Sequence, residues 1–250
     1  MHTPEWLWIP RLSRMPLRSE PSHRSEQVSE LLWGEPQQVL DYEKGWLLVR
    51  GWIDGYVGWV PAGTLHQAYY DGSGWAIVKR RWAILHYHTH PIGEVPFGAL
   101  FPRSGIWRTA IGDFWVEPLA LLPLEPHAWE EGYVEAIFQG VPYQWGGKSP
   151  AGIDCSGLTQ IIYRSMGRRL PRDAYQQAEV MLPTADPVPG DLAFFTDPTG
   201  ENISHVALYL GAGYLLHATP QQGVHRAPLE GLFTHTFHSF RTFITEDFVI

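Results

Sequence analysis

One cysteine, Cys155, and two histidines, His205 and His217, are the residues best placed to do chemistry together. Cysteine catalysis needs a thiolate, an imidazole to exchange its proton, and a third group to orient that imidazole. Asp154-Cys155-Ser156-Gly157 opens a helix-like stretch, so Cys155 falls in a first helical turn, where the positive end of the helix dipole favours a thiolate. His205 opens an apolar strand-like run after Asn202-Ile203-Ser204, and His217 ends the next such run. Two adjacent antiparallel strands would hold the imidazoles side by side facing the cysteine. The result is a Cys-His-His triad in which His217 fixes the tautomer of His205. A lone cysteine is more often a small buried apolar residue, and it permits neither an intramolecular disulfide nor a multi-cysteine metal site.

A second histidine group, His86-Tyr87-His88-Thr89-His90, has alternate imidazoles on one face of a possible strand, a permissible spacing for zinc ligands. No acid or cysteine accompanies it closely, so solvated or structural histidines are the expectation, with no metal and no cofactor.

The elements that must position the cysteine lie in the rear half of the chain. Residues 155–166 read as a helix, with Asp154 placed to cap it, Leu158, Ile161, Ile162 and Ser165 on one face, and Gly167 to close it. An earlier helix is expected over 128–139, from Trp129, Tyr133, Ala136 and Ile137 at helical spacing, ended by Gly140 and Pro142. After Pro189-Gly190-Asp191 come strand-like runs at 192–195, 205–210 and 213–217. Helices followed by an antiparallel sheet define an α+β domain.

The front half has a different texture. From about 28 to 65, short apolar runs such as Trp46-Leu47-Leu48-Val49 and Tyr56-Val57-Gly58-Trp59-Val60 are broken by Glu43-Lys44-Gly45 and Asp54-Gly55. This is the pattern of a small all-β barrel or sandwich. Residues 69–123 repeat the texture, and twelve tryptophans supply burial that cores of such size otherwise lack. The net charge of −8, with Lys79-Arg80-Arg81 as the one basic run of note, argues against nucleic-acid binding. No apolar stretch approaches the ~20 residues of a membrane span. The start, Met1-His2-Thr3-Pro4-Glu5-Trp6, lacks a basic and apolar leader pattern. A complete chain would therefore be cytoplasmic, and one from which a leader was removed periplasmic or secreted.

Six blocks in order, Tyr143-Gln144-Trp145-Gly146-Gly147, Asp154-Cys155-Ser156-Gly157-Leu158, Leu170 to Gln177, Pro189-Gly190-Asp191-Leu192, Ser204 to Gly211 and Leu216-His217-Ala218, resemble the motifs of the NlpC/P60 peptidases. The resemblance covers residues 125–250 and implies a papain-like α+β domain hydrolysing peptides with a γ-linked D-glutamate, as in bacterial cell-wall stems. It places Tyr143 near the oxyanion. Arg172-Asp173-Ala174-Tyr175-Gln176-Gln177 is similar to the branch with bacterial SH3-like (SH3b) domains in front, acting on peptides with a free N-terminal L-alanine. Residues 1–67 then match an SH3b-like domain, and residues 68–124 a second β domain that fits by architecture, not by motif.

In that branch the front domain supplies a tyrosine and an acid to the peptide amine. Tyr56 matches the tyrosine, and Glu26 the acid, with Glu30 and Glu35 competing. Asp154 and Ser156 would complete the pocket, which excludes amines blocked by sugar. The resemblance thus implies a dipeptidyl-peptidase that cuts between D-glutamate and diaminopimelate or lysine of murein peptides and releases L-Ala-γ-D-Glu in cell-wall recycling. A non-catalytic wall-fragment binder and an acyltransferase on the same fold are the alternatives. The sequence sets no oligomeric state, and a monomer is in keeping with it.

Overall fold

The computed structural model describes residues 5–127, 130, 132–230 and 236–243. Two compact units meet in the chain at Glu125 and Pro126.

The first unit is all-β. Its strands are β1 (Glu5–Pro10), β2 (Arg14–Arg18), β3 (Gln27–Leu32), β4 (Gln37–Glu43), β5 (Trp46–Gly51), β6 (Val57–Pro61) and β7 (Leu65–Tyr70). They continue as β8 (Trp75–Val78), β9 (Trp82–Tyr87), β10 (His90–Pro96), β11 (Leu100–Pro102), β12 (Ile106–Thr109), β13 (Gly112–Trp115) and β14 (Leu121–Pro123). Lys44 and Gly45, at φ of 47° and 86°, make the two-residue turn that joins β4 to β5, as the sequence led us to expect. Met15, Leu17, Leu31, Val49, Val60 and Leu65 close a barrel-like core.

The expected boundary between residues 67 and 68 falls inside β7. β7 pairs along its whole length with β1 and also with β12, so both β segments share one sheet in the order β10-β9-β13-β12-β7-β1-β4-β5-β6-β2-β3. β8, β11 and β14 form a separate three-stranded sheet. The histidine group is not one strand face. His86 is the second-last residue of β9 and stacks on Trp115, His88 sits in the turn at φ 50°, and His90 opens β10 opposite Tyr87. A hairpin breaks the alternation that zinc ligation would need. Among the described residues no group of His, Cys, Asp and Glu side chains is gathered as metal ligands would be.

In the second unit, α1 (Tyr133–Phe138) starts after Gly132, whose φ of 78° and backbone N–H bonded to Glu135 mark the helix start. Of the expected helix 128–139, Ala128, Trp129 and Glu131 lie outside the described residues. A short hairpin, β15 (Lys148–Ser149) and β16 (Gly152–Ile153), leads into α2 (Cys155–Ser165) and then α3 (Ala174–Glu179). The strands β17 (Leu182–Thr184), β18 (Leu192–Thr196), β19 (Ile203–Gly211), β20 (Tyr214–Thr219), β21 (Gly223–Pro228) and β22 (Phe237–Thr242) form an antiparallel sheet ordered β17-β22-β18-β19-β20-β21. This is the expected α+β order.

Every residue of α2 is buried, and the helix packs on β19 and β20. Three of its polar side chains bond to the chain that follows: the Thr159 hydroxyl donates to Gln177, the Gln160 amide donates to the Leu170 carbonyl, and the Tyr163 hydroxyl donates to the Gly190 carbonyl. Among the described residues no helix is long and apolar enough to cross a membrane.

Ala193, Phe195, Ala207 and Leu215 form a core on the sheet. Phe195 lies opposite His205 in the β18–β19 register, with the two rings 5.7 Å apart. Truncating so buried a ring removes packing and leaves a cavity. Phe195→Ala should therefore cost about 3–5 kcal/mol of unfolding free energy, read by denaturant titration; a loss under about 1 kcal/mol would contradict this packing.

Candidate active site

Asp154 holds the start of α2. It is the N-cap in extended conformation, and its Oδ1 accepts from the Gly157 N–H at 2.7 Å. Its Oδ2 accepts from the Gly146 N–H at 2.8 Å, which ties the Tyr143–Gly147 loop to the helix start. Arg172, 2% exposed, closes a two-pronged ion pair on the same carboxylate, Nη2 to Oδ2 at 2.6 Å and Nη1 to Oδ1 at 3.0 Å. Arg172 Nη1 also donates to Ser156 Oγ at 2.9 Å. A Cβ on Gly157 would collide with the Gly147 carbonyl oxygen, so only glycine lets this loop lie against the helix. Both oxygens of Asp154 are thus occupied within the protein.

This scaffold puts Cys155 in the first turn of α2, buried, with the backbone N–H groups of Val206 and Ser156 directed at its sulfur. Val206 follows His205 in β19. His205 Nε2 lies 3.0 Å from His217 Nδ1, His217 Nε2 lies 3.1 Å from His225 Nε2, and His225 Nδ1 lies 3.0 Å from the Gly223 carbonyl oxygen. The β20–β21 register sets His217 opposite His225.

Burial, reinforced by the Asp154 charge, pushes the Cys155 thiol up to about 11. The helix dipole was expected to lower it, but desolvation of the anion outweighs that effect here. Burial likewise pushes His205 down to about 4, with His225 adding to the effect, and His217 down to about 3, with His205 and His225 adding. A lone thiolate and a lone imidazolium are both disfavoured in this site. Either charge would need an opposite charge beside it to offset its desolvation.

Tyr143 stands in an isolated bridge to Ile153, and burial followed by the Cys155 and Asp154 charges raises its phenol, which stays a proton donor. The structure therefore brings together Tyr143, Asp154, Cys155, Ser156, His205 and His217. Tyr56 and Glu26 lie in the first unit: Tyr56 packs on the barrel core with its N–H bonded to Asp54, and Glu26 is exposed just before β3. Of the competitors for Glu26, Glu30 is buried in an ion pair with Arg14, and Glu35 is buried.

The sequence reading missed His225 and the ion pair of Arg172, which it quoted only within a block. A signal for His225 existed. The Pro220-Gln221-Gln222 turn is centred on Gln221, so residues 217 and 225 are equidistant from it and must face each other in a hairpin.

A cysteine at the start of a buried helix, set against a sheet whose three neighbouring strands carry a chain of imidazoles, is the arrangement of a papain-like thiol hydrolase. Residues 140–242 match the NlpC/P60 family, and residues 17–65 match the bacterial dipeptidyl-peptidase Sh3 domain. The gamma-D-glutamyl-L-lysine dipeptidyl-peptidase of Bacillus subtilis is 45% identical over 219 residues, covering 78% of this chain and 73% of that one. Dipeptidyl-peptidase 6 of Lysinibacillus sphaericus is 29% identical over 240 residues, covering 81% of this chain and 84% of that one. The crystal structure of an NlpC/P60 family protein from Bacillus cereus superposes with a TM-score of 0.81 over 96% of this chain and 99% of that one, at 21% identity, a likeness of fold. The chain belongs to the NlpC/P60 family of cysteine peptidases.

Two outcomes follow from this electrostatic arrangement. Removing the guanidinium in Arg172→Met leaves the Asp154 carboxylate buried and unpaired, so unfolding free energy should drop by about 3–5 kcal/mol. The Arg172→Met/Asp154→Asn double variant should recover part of the loss, and equal stability of both variants would exclude the pair as its source. The second outcome concerns pH. His66, His205 and His217 have folded values below the ordinary 6.5, at about 4, 4 and 3, with burial the leading cause. The unfolded chain therefore binds protons first, and stability is full above about 6.5 and declines as pH falls toward 4. Melting temperatures should drop between pH 7 and pH 5; a flat profile would contradict these burials.

Proposed function

We propose that this protein hydrolyses the γ-D-glutamyl–L-diamino acid bond of cell-wall peptides with a free N-terminal L-alanine, releasing L-Ala-γ-D-Glu for recycling. One observation carries the reading: a buried Cys155 at the start of α2 lies against the backbone of Val206, next to His205, whose ring is held by His217. Two relatives named as gamma-D-glutamyl-L-lysine dipeptidyl-peptidases support the substrate class. A binding role alone would leave this thiol and imidazole array without a use.

The steps follow from the groups present. Cys155 gives its proton to His205 and attacks the γ-carbonyl of D-glutamate, forming the C–S bond as the carbonyl oxygen becomes an oxyanion. The Tyr143 phenol, kept protonated by its surroundings, donates to that oxyanion, a contribution worth ~3 kcal/mol. His205 protonates the departing amine of the diamino acid as the C–N bond breaks. Water, deprotonated by His205, then hydrolyses the thioester and restores the thiol. Ser156 is assigned to the alanine amine, through a charge-assisted hydrogen bond of about 1.5–3 kcal/mol. Asp154, with its oxygens committed to Arg172 and backbone N–H groups, acts by holding Ser156 and the helix start.

Mass spectrometry of L-Ala-γ-D-Glu-L-Lys and its meso-diaminopimelate counterpart, beside N-acetylated copies, tests the proposal. Cleavage should be confined to the free-amine peptides and abolished by Cys155→Ala; His205→Ala should lower kcat by on the order of 10²–10⁴. Cleavage of acetylated peptides at equal rate would remove the amine pocket, and undiminished cleavage by Cys155→Ala would remove the nucleophile.

A further inference from the structure

We propose that His225 is a positioning residue of the active site, and that the Gly223 carbonyl, acting through it and His217, decides which nitrogen of His205 carries the proton. The proposal rests on the reading of Cys155 and His205 as nucleophile and base.

The chain of rings ends at the Gly223 carbonyl. A carbonyl oxygen has no hydrogen to give, so the His225 nitrogen 3.0 Å from it, Nδ1, must be the N–H. A neutral imidazole has one N–H and one lone pair, which leaves His225 Nε2 as an acceptor. His217 Nε2, 3.1 Å away, must then donate, and His217 Nδ1 becomes the acceptor in turn. His205 Nε2 donates to it across 3.0 Å. The lone pair of His205 is thereby placed on Nδ1, the nitrogen that must take the proton of Cys155. Any other set of neutral tautomers sets two N–H groups or two lone pairs against each other somewhere along the chain.

The anchor is rigid. Gly223 has a φ of 67°, and a Cβ there would strike the Val141 carbonyl oxygen. The next residue is bound on both sides, Val224 N–H to the Val141 carbonyl at 2.8 Å and Gly140 N–H to the Val224 carbonyl at 2.9 Å. His217 is 1% exposed, so water does not compete for its nitrogens. The polarity of the chain also suits the charged state. When His205 becomes an imidazolium its Nε2–H already points at a lone pair, and no other proton has to move.

The test is long-range ¹H–¹⁵N correlation of the imidazoles in the ¹⁵N-labelled full chain near neutral pH, joined to steady-state kinetics on L-Ala-γ-D-Glu-L-Lys. The wild-type spectrum should show the proton on Nε2 of His205 and His217 and on Nδ1 of His225; His205 with its proton on Nδ1 would overturn the proposal without any variant. His225→Leu, which cannot accept from His217, should mix the tautomers of His217 and His205 and lower kcat on the order of 10-fold with KM little changed. His225→Gln, whose Oε1 can accept, should restore the tautomers and most of the rate. Equal losses in the Leu and Gln variants, or wild-type kcat and tautomers in His225→Leu, would overturn it. Full activity in Cys155→Ala would instead remove the nucleophile assignment, while the spectrum still decides the direction of the chain.

Discussion

The buried carboxylate of Asp154 is the interaction to which the rest of the second unit is fitted. A charge so deep in a protein is tolerated only when paired and fully hydrogen-bonded, and each partner it recruits comes from a different segment. The Gly157 N–H fixes the first turn of α2, the Gly146 N–H draws in the loop that begins at Tyr143, and Arg172 ties down the chain ahead of α3. Gln177 continues the same logic, its amide donating to the carbonyls of Ser156 and Pro171. Cys155 owes its place to this assembly, because it is the residue between the cap and the first satisfied N–H groups.

The sheet contributes the opposite kind of order. Strand pairing β19–β20–β21 fixes His205, His217 and His225 in sequence, and the register with β18 sets Phe195 and Ala207 on the same face as His205, where they pack against its flank. Helix and sheet thus meet at a site where neither a thiolate nor an imidazolium is comfortable alone. Such a site favours the neutral thiol and the neutral imidazole.

The first unit shows how sheet continuity overrides sequence texture. Two stretches with separate apolar runs and separate turn signals are joined because β7 offers one edge to β1 and the other to β12. The histidines at 86, 88 and 90, which alternate in sequence, are separated by a tight turn. His86 stacks on Trp115 while the other two belong to the turn and to the next strand.

Much of the second unit was legible in the sequence, because capping, helix spacing and strand runs are local properties. Asp154 as the cap, Cys155 in the first turn and the two strands carrying His205 and His217 followed from side-chain chemistry and periodicity within a few residues. The front half could be read as all-β for the same reason. Longer-range partnerships were not: the Asp154–Arg172 pair, the sharing of β7 and the contact of His217 with His225 depend on chain segments brought together by folding. The state of the site belongs to this second group. A helix start alone argues for a lowered thiol, whereas burial, which exists only once the sheet covers α2, raises it. By itself the sequence determined which groups stand in line for the chemistry; the tertiary structure decided how dry their surroundings are and what each is bonded to, because desolvation and hydrogen-bond partners are set by residues distant in the chain.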